Sequence, residues 1–349
     1  MILMQERTIL ELYEAMLSSR SLEEAITHLW NEGYIFGEMH LGIGEEAIIA
    51  GILSHIIPGD AIATDHRSTP PFVMRGVDPE ALLLELLGHP KGLCSGMGGH
   101  MHLFSQDLLL TSSGIVGSSG PSAVGFALAA KYRKTNNIAV AFFGEGAMNQ
   151  GMLLESLNLA ASMNLPVLFV CKDNNWAITT QSNEVTGGVL LDRVQGFGIE
   201  AREIDGSDVK AVWQATKTAI PRMRGGKKSP YFIQAHCTHK EGHLLGDPLL
   251  RFHRAPKKEF GAVTGPLTKS VLHYKGGRID KRIGSVAKVL SLIAKSRMQL
   301  SDSKDPIKRL EKDQTELGKQ FSQIQLAIQS EVDALVTGVM NTLKQEVSQ

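Results

Sequence analysis

The chain has 349 residues, 43% of them hydrophobic, which is enough to bury the core of one large domain or two small ones. Lysine plus arginine equals aspartate plus glutamate, 36 of each, and this balance argues against a general nucleic-acid-binding protein. No apolar run reaches the ~20 residues of a membrane span, the N-terminus lacks a signal-peptide pattern, and three widely spaced cysteines predict free thiols in a reducing cytoplasm.

The first part of the chain predicts helices and loops around one short strand. Residues 6 to 32 carry apolar side chains at helical spacing and predict an N-terminal helical arm. Residues 60 to 76 predict a short strand followed by a loop, and residues 88 to 104 hold too many glycines for a regular element. A helix rich in small residues, which allow close packing on a sheet, is predicted within residues 111 to 133.

A strand–helix–strand crossover is predicted in the middle of the chain. The apolar run from Ile138 to Phe143 predicts a buried strand, which stops at a Gly-Glu-Gly turn. A helix is predicted from about Asn149 to Met163, and a second strand from Pro166 to Cys171. Polar residues follow both strands. Because ligands bind at the carboxyl ends of the strands in an open parallel sheet, the crossover predicts a binding site.

The last part predicts one more strand–helix–strand unit and then a change of character. The unit begins near Phe197, and its final strand ends near Cys237. Residues 251 to 304 contain 13 lysines and arginines against 3 acidic residues, a net charge of +10. The simplest interpretation is a solvated surface segment; attraction to an acidic partner, weaker in high salt, is the alternative.

The alternation of strands and helices predicts the α/β class. We expect a doubly wound, mostly parallel sheet with helices on both faces, followed by a helical C-terminal tail. Residues 1 to 254 are assigned to this domain with its N-terminal helical arm, residues 255 to 304 to a basic insertion, and residues 305 to 349 to C-terminal helices.

The ends of the two crossover strands carry residues suited to a metal and a diphosphate. Gly144 and Gly146 let the backbone approach a bulky anion, and free amides in the turn would add to diphosphate binding. Glu145 and Asn174, 29 residues apart, offer the hard oxygen ligands that Mg²⁺ prefers. An ordinary crossover with a glycine turn is the alternative, but two such motifs on neighbouring strand ends favour the metal–diphosphate site.

The motifs GEGAMNQG and DNNWAITT resemble the thiamine diphosphate motif, in which Gly-Asp-Gly is followed, after roughly thirty residues, by Asn-Asn. With LPVLFVC between them, they resemble the α subunits of heteromeric 2-oxo acid and acetoin dehydrogenases, over residues 8 to 254. The resemblance implies thiamine diphosphate and Mg²⁺ as cofactors. It assigns Glu145, Asn174 and the Trp176 carbonyl to Mg²⁺, and the turn from Gly144 through Gly146 and Ala147 to the diphosphate.

The resemblance also implies roles for residues outside the crossover. His40 matches the family histidine that reaches the cofactor's thiazolium and the substrate, and His243 matches the active-site histidine of a Gly-His-Ser-x-x-Asp-Pro segment. Both are candidate catalytic residues, and His243 is also a candidate cofactor contact. The remaining candidate cofactor contacts are His66, Arg67 as a bidentate diphosphate ligand, and Gly114 and Val116 through their backbone.

Several positions depart from the family pattern. Thr69 stands where a second histidine is frequent, which bears on substrate recognition, and Leu244 replaces a serine that is phosphorylated in some relatives. A metal site at His100 and His102 is disfavoured, because no other ligands are arranged with them. The other departures are Glu45 for glutamine, Met97 for lysine and His100 for serine.

The implied function is that of the α subunit of a thiamine diphosphate-dependent 2-oxo acid dehydrogenase, similar to pyruvate dehydrogenase. It would decarboxylate a 2-oxo acid and pass the acyl group to a lipoyl-bearing acyltransferase core. A separate β subunit would complete the site in an α₂β₂ assembly. The alternatives are an acetoin dehydrogenase α subunit, a transketolase-like half enzyme and a noncatalytic cofactor-binding subunit. No nucleic-acid or membrane partner is predicted.

Overall fold

The computed structural model describes residues 5–178, 180–224, 230–247, 278–296 and 304–347, with a few positions between 265 and 272. The strands are β1 (Ala61–Thr64), β2 (Phe104–Ser105), β3 (Leu110–Ser112), β4 (Ala139–Gly144), β5 (Val167–Asp173), β6 (Trp176–Ala177), β7 (Thr180–Gln181), β8 (Glu200–Asp205) and β9 (Tyr231–His236). The helices are α1 (Glu6–Asn31), α2 (Glu46–Leu53), α3 (Thr69–Arg75), α4 (Pro79–Leu86), α5 (Ser119–Tyr132), α6 (Gly151–Ser162), α7 (Ser182–Val185), α8 (Leu190–Gly196), α9 (Val209–Arg224), α10 (Ile279–Ser296), α11 (Pro306–Asp313) and α12 (Gly318–Val347).

Seven strands form one sheet in the order β2-β3-β1-β4-β5-β9-β8, and β6 pairs with β7 in a separate small ribbon. Every neighbouring pair in the large sheet is parallel except the edge pair β2–β3. The predicted doubly wound, mostly parallel sheet is therefore confirmed. Because its central strands run the same way, their carboxyl ends meet at one edge.

Both faces of the sheet are buried, because apolar residues occupy most positions of the central strands on either face. On β4, Val140 and Phe142 belong to the core cluster that includes residues of α2 and α9. Phe143, of the opposite parity, packs with residues of α5 and α6 on the other face. The predicted arrangement of helices on both faces is confirmed, and the two layers fix the sheet edge that carries the polar residues.

Two details of the structure differ from the sequence prediction. A single 3-10 turn, Glu145–Asn149, follows β4, and α6 begins at Gly151 rather than near Asn149. The loop expected after the first strand instead contains α3, because Pro70 and Pro71 lie in its first turn, where the missing N–H groups are not needed. The 3-10 turn and α3 therefore put regular, hydrogen-bonded backbone beside the strand ends, where the sequence pattern had indicated irregular turns and loops.

The N-terminal and C-terminal helices pack together. The Tyr13 ring stacks on Phe321 at a centroid distance of 4.1 Å, joining α1 to α12. Asp305 caps α11 by accepting from the Ile307 and Lys308 N–H groups. Its Oδ2 also binds Arg20 at 3.1 Å and Lys240 at 2.9 Å. The predicted helical tail is thus confirmed, and its start is tied to α1 and to the loop after β9.

The predicted basic insertion falls largely outside the described residues. Its apolar middle, Ile283 to Ile293, lies within α10, as the helical spacing indicated. Within α10, Lys288 forms an ion pair with Glu184 at 3.2 Å. Throughout the described ranges, no helix combines the length and apolar character required to cross a lipid bilayer.

Candidate active site

A cleft of about 270 Å³ lies at the carboxyl ends of the central strands. The register pairs Gly144 of β4 with Lys172 of β5, so the residues that follow these two positions stand side by side. The predicted residues that line the cleft are His66, Arg67, Val116, Gly144, Glu145, Gly146, Ala147, Asn174, Trp176 and His243. Gly114 lies between two lining residues, Ser113 and Ile115, and His40 lies behind His66 and His243.

Glu145 is a buried carboxylate with no cationic partner among the described residues. Its Oε2 accepts the Asn174 N–H at 3.2 Å, and its Oε1 accepts from the Ser182 hydroxyl. Burial, followed by the neighbouring Asp173, raises the pKa of Glu145 to about 7. A local excess of negative charge, beside the Asn174 amide, fits a hard divalent cation coordinated by oxygen atoms.

The backbone beside this carboxylate forms a cradle that excludes side chains. A Cβ added at Gly146 would lie 3.2 Å from the Ala177 Cβ, so a larger residue would force the turn away from β6. Gly117 has a φ of +87°, and a Cβ there would lie 3.1 Å from the Gln150 Cβ. Exposed backbone amides in such a turn suit a phosphate or diphosphate group.

A network of paired charges lies behind the cradle, and sequence reasoning did not predict it. The Lys172 Nζ donates to Glu45 Oε2 at 2.7 Å and to Asp65 Oδ1 at 2.9 Å. The His239 Nε2 lies 2.7 Å from Glu45 Oε1. These side chains come from segments that are far apart in the sequence. The sequence feature that could have indicated the network is the lysine and the aspartate at the end of the otherwise apolar strand β5.

Arg67 is directed at main-chain carbonyls. Its guanidinium donates to the Leu41 carbonyl and, at 2.8 Å, to the His243 carbonyl, and its Nε lies 4.0 Å from Glu45 Oε1. These bonds fix the loop that carries His243. The predicted contact between Arg67 and a diphosphate is not among them and would use the other N–H groups of the guanidinium.

Four histidine rings cluster at one end of the cleft. His40 lies with its ring centroid 4.6 Å from His66 and 5.0 Å from His243, and its Nδ1 is 3.1 Å from the His100 Nε2. Burial is the main cause of the low pKa values, which are about 2 for His40, 3 for His66, and 4 for His100 and His243. The rings are therefore neutral at pH 7, and each can both donate and accept a hydrogen bond. His66 Nε2 is buried without a hydrogen-bond partner in the part of the chain described.

The glycine-rich loop that carries His100 is organised around Glu85 of α4. One carboxylate oxygen accepts from the N–H groups of Cys94 and Gly96 at 2.7 and 2.8 Å. The other accepts from Gly98 and Gly99 at 2.6 and 3.2 Å. The loop therefore wraps one buried anion. Local sequence reasoning identified the loop but could not identify the acid that orders it.

We expect Glu85→Gln to destabilise the protein by about 2 to 4 kcal/mol, because an amide nitrogen cannot accept the N–H groups that now face a carboxylate oxygen. Chemical denaturation of the two proteins measures the difference. Glu80→Gln is the matched control, since Glu80 is exposed on the same helix. Equal unfolding free energies for the wild type and Glu85→Gln would show that the loop does not depend on this carboxylate.

Comparison with known proteins shows which family this chain resembles. The family model described as "Dehydrogenase E1 component" matches residues 13–267. The chain is 38% identical over 244 residues to the α subunit of acetoin:2,6-dichlorophenolindophenol oxidoreductase from Bacillus subtilis (strain 168), covering 69% of this chain and 73% of that protein. It is 37% identical over 243 residues to the pyruvate dehydrogenase E1 component subunit alpha of Zymomonas mobilis subsp. mobilis, covering 69% and 68% respectively. It is 31% identical over 304 residues to the chloroplastic pyruvate dehydrogenase E1 component subunit alpha-3 of Arabidopsis thaliana, covering 84% and 71%. This chain therefore belongs to the dehydrogenase E1 component family.

Proposed function

We propose that this chain is the α subunit of a thiamine diphosphate-dependent 2-oxo acid dehydrogenase. The observation that carries the proposal is the buried Glu145 carboxylate, which lacks a cationic partner among the described residues, accepts the Asn174 N–H and stands next to Gly146, where a side chain would crowd Ala177. A divalent cation bound at this point would offset both the charge of Glu145 and the charge of a diphosphate. The cofactor, when bound, supplies the carbon nucleophile and the electron sink for decarboxylation.

The proposal gives each predicted residue a role. Glu145, Asn174 and the Trp176 carbonyl would hold Mg²⁺, which prefers oxygen ligands. The Gly146 and Ala147 amides, within the 3-10 turn, would bind the diphosphate, with His66 and Arg67 at its side. Gly144 would let the backbone come close to the diphosphate. Gly114 and Val116 would contact the cofactor through their backbone from the loop after β3.

His40 and His243 would act on the substrate. Both rings are neutral at pH 7, so each can donate a hydrogen bond to a substrate oxygen or accept a proton from it. His243 is held by three contacts: its carbonyl accepts from Arg67, its N–H donates to Asp247 at 3.1 Å, and its ring packs against that of His40. Such fixed placement favours ordering of the substrate or of the acyl transfer to a lipoyl group.

A β subunit would cover the mouth of the cleft. Ile115, Val116 and Ile178 line the cleft and are 61%, 51% and 60% exposed. Large exposed apolar side chains around a binding cleft are typical of a surface that a partner covers. Two such interfaces related by symmetry would give an α₂β₂ assembly, to which a lipoyl-bearing acyltransferase core would bind.

The substrate is proposed to be a 2-oxo acid such as pyruvate. Acetoin cleavage remains the second candidate, because a relative of similar identity carries the acetoin name. The same cradle and histidines would serve either reaction. A substrate screen on the complex with its β subunit, using an artificial electron acceptor, distinguishes the two.

We expect Glu145→Ala to abolish Mg²⁺-dependent binding of thiamine diphosphate, because the cation loses its only carboxylate ligand in the proposed set. Glu145→Asp should retain binding, since it keeps the carboxylate and shortens its reach by one methylene. Isothermal titration of the co-expressed complex measures both affinities. Glu155→Ala, an exposed acid on the following helix, is the control. Unchanged affinity in the Glu145→Ala complex would remove the metal assignment and, with it, the main support for the proposed function.

We expect His243→Ala to fold normally and to lower acyl transfer by about 100-fold, which is the size of a lost acid–base contribution. Cofactor affinity should change far less, because the ring packs against other histidines rather than against the cradle. Steady-state rates and titration separate the two effects. His236→Ala is the comparison, since His236 ends β9 outside the cleft. A complete complex that runs at full rate without the His243 ring would exclude its catalytic role.

A further inference from the structure

The carboxamide of Asn174 is held at both ends. The Trp176 N–H donates to Asn174 Oδ1 at 2.9 Å, and a backbone N–H can only donate, so the atom that faces it is the oxygen. The Asn174 Nδ2 then lies 2.6 Å from the His239 Nδ1. The nitrogen is thereby directed at His239. The oxygen keeps a second lone pair, which a cation can use.

The contact with Asn174 selects one tautomer of His239. Nδ2 is a donor, so the His239 Nδ1 must be unprotonated, and the ring proton must be on Nε2. That Nε2–H donates to Glu45 Oε1 at 2.7 Å. A carboxylate is a suitable acceptor because it cannot present a hydrogen in return. Glu45 and His239 are both buried, so water does not compete for either position.

Lys172 explains why position 45 carries a carboxylate in this chain. Position 45 meets two donors, the Lys172 Nζ on Oε2 and the His239 Nε2–H on Oε1. A glutamine would offer one acceptor and one donor. One of the two incoming donors would then face an N–H₂ group inside the protein, which carries the full cost of an unmade buried hydrogen bond.

We propose that His239 is a positioning residue that orients the Asn174 carboxamide with its oxygen available to the cation, and that Glu45 and Lys172 hold His239 in the tautomer required. The proposal rests on the proposed function, since it takes Asn174 as a metal ligand. It adds a chain of three residues, contributed by the position just before α2, by β5 and by the segment after β9, that determines which end of the amide is presented. Partners behind a metal ligand commonly change metal affinity by about 10- to 100-fold when they are removed.

The test measures the affinity of the co-expressed complex for Mn²⁺ in the presence of thiamine diphosphate, by paramagnetic resonance of free Mn²⁺. We expect His239→Leu to weaken Mn²⁺ binding by about 10- to 100-fold. His239→Asn, whose Oδ1 can take the place of Nδ1 as an acceptor, should remain within about threefold of wild type. His239→Gln places its polar atoms near Nε2 instead and should resemble the leucine variant. If His239→Leu fails to fold, the asparagine and glutamine variants decide the question.

A second pair of variants tests the role of Glu45. Glu45→Gln should weaken Mn²⁺ binding about tenfold. Glu45→Gln combined with Lys172→Met should restore much of the affinity, because one acceptor then meets one donor. If Glu45 had a purely structural role, the thermal midpoint would fall in both variants and the double variant would not recover Mn²⁺ affinity.

The two levels of inference fail in different ways. If Glu145→Ala binds Mn²⁺ normally, the metal site itself is wrong. If Glu145→Ala loses Mn²⁺ while His239→Leu and His239→Gln bind it as the wild type does, the metal site stands and the positioning role of His239 is overturned.

Discussion

Purified without a partner, this chain is expected to show no turnover of any 2-oxo acid, and co-expression with a β subunit is expected to restore it. Thiamine activation needs a carboxylate against the aminopyrimidine ring. Three carboxylates line the cleft in the described residues: Glu45, Asp65 and Glu145. Glu45 and Asp65 bind Lys172, and Glu145 is assigned to the cation. Under the proposed function none of these three described carboxylates is left for the activation, so we expect a β subunit to supply it.

The fold supports the same expectation. The described residues form one large sheet with a single cradle, and the helices α10, α11 and α12 follow it. Turnover is measured with an artificial electron acceptor, on the chain alone and on the co-purified complex. Circular dichroism must show that the isolated chain is folded, so that inactivity is not mistaken for unfolding. Robust turnover by the isolated chain would overturn the division of the active site between two subunits.

Lys172→Met is expected to lower the free energy of unfolding by about 3 to 5 kcal/mol, the usual cost of removing one partner from a buried ion pair. The substitution nearly preserves side-chain volume but leaves Glu45 and Asp65 facing each other without the ammonium group that now binds both. Urea denaturation measures the loss, and Lys319→Met, at an exposed position of α12, is the control.

The pH dependence separates lost charge pairing from lost packing. Although burial acts in the opposite direction, the charge of Lys172 lowers the pKa of Asp65 to about 2. Asp65 therefore stabilises the wild type above about pH 4, and this contribution is lost as the pH falls toward 2. Lys172→Met lacks this stabilisation by Asp65. The difference in unfolding free energy between the wild type and Lys172→Met should therefore become smaller as the pH falls toward 2. A difference that stays constant with pH would indicate a packing defect.

The sheet and the cradle could be predicted because their signals are local. The apolar run of β4 and the Gly-Glu-Gly turn occupy adjacent positions, so strand, turn and site follow from a short stretch of sequence. The start of α6 could not be placed, because a 3-10 turn and a first helical turn share the same residue preferences. Glu85 and Lys172 were missed for a different reason. Lys172 bonds to a residue 127 positions away, and only the folded sheet makes them neighbours.

The contacts of Asp305 bear on how freely the segment between residues 248 and 304 can change in length. Its bonds to Arg20 and Lys240 fasten the start of α11 beside the loop that follows β9, so the described chain before residue 248 and the described chain after residue 304 are held together at their ends. The entropy of closing a loop between fixed ends rises only with the logarithm of its length, by about 0.6 kcal/mol per doubling. A sequence can therefore be lengthened or shortened here at little cost to the folded domain. This position is suited to acquiring new segments during evolution, and to accepting a reporter or tether in the laboratory.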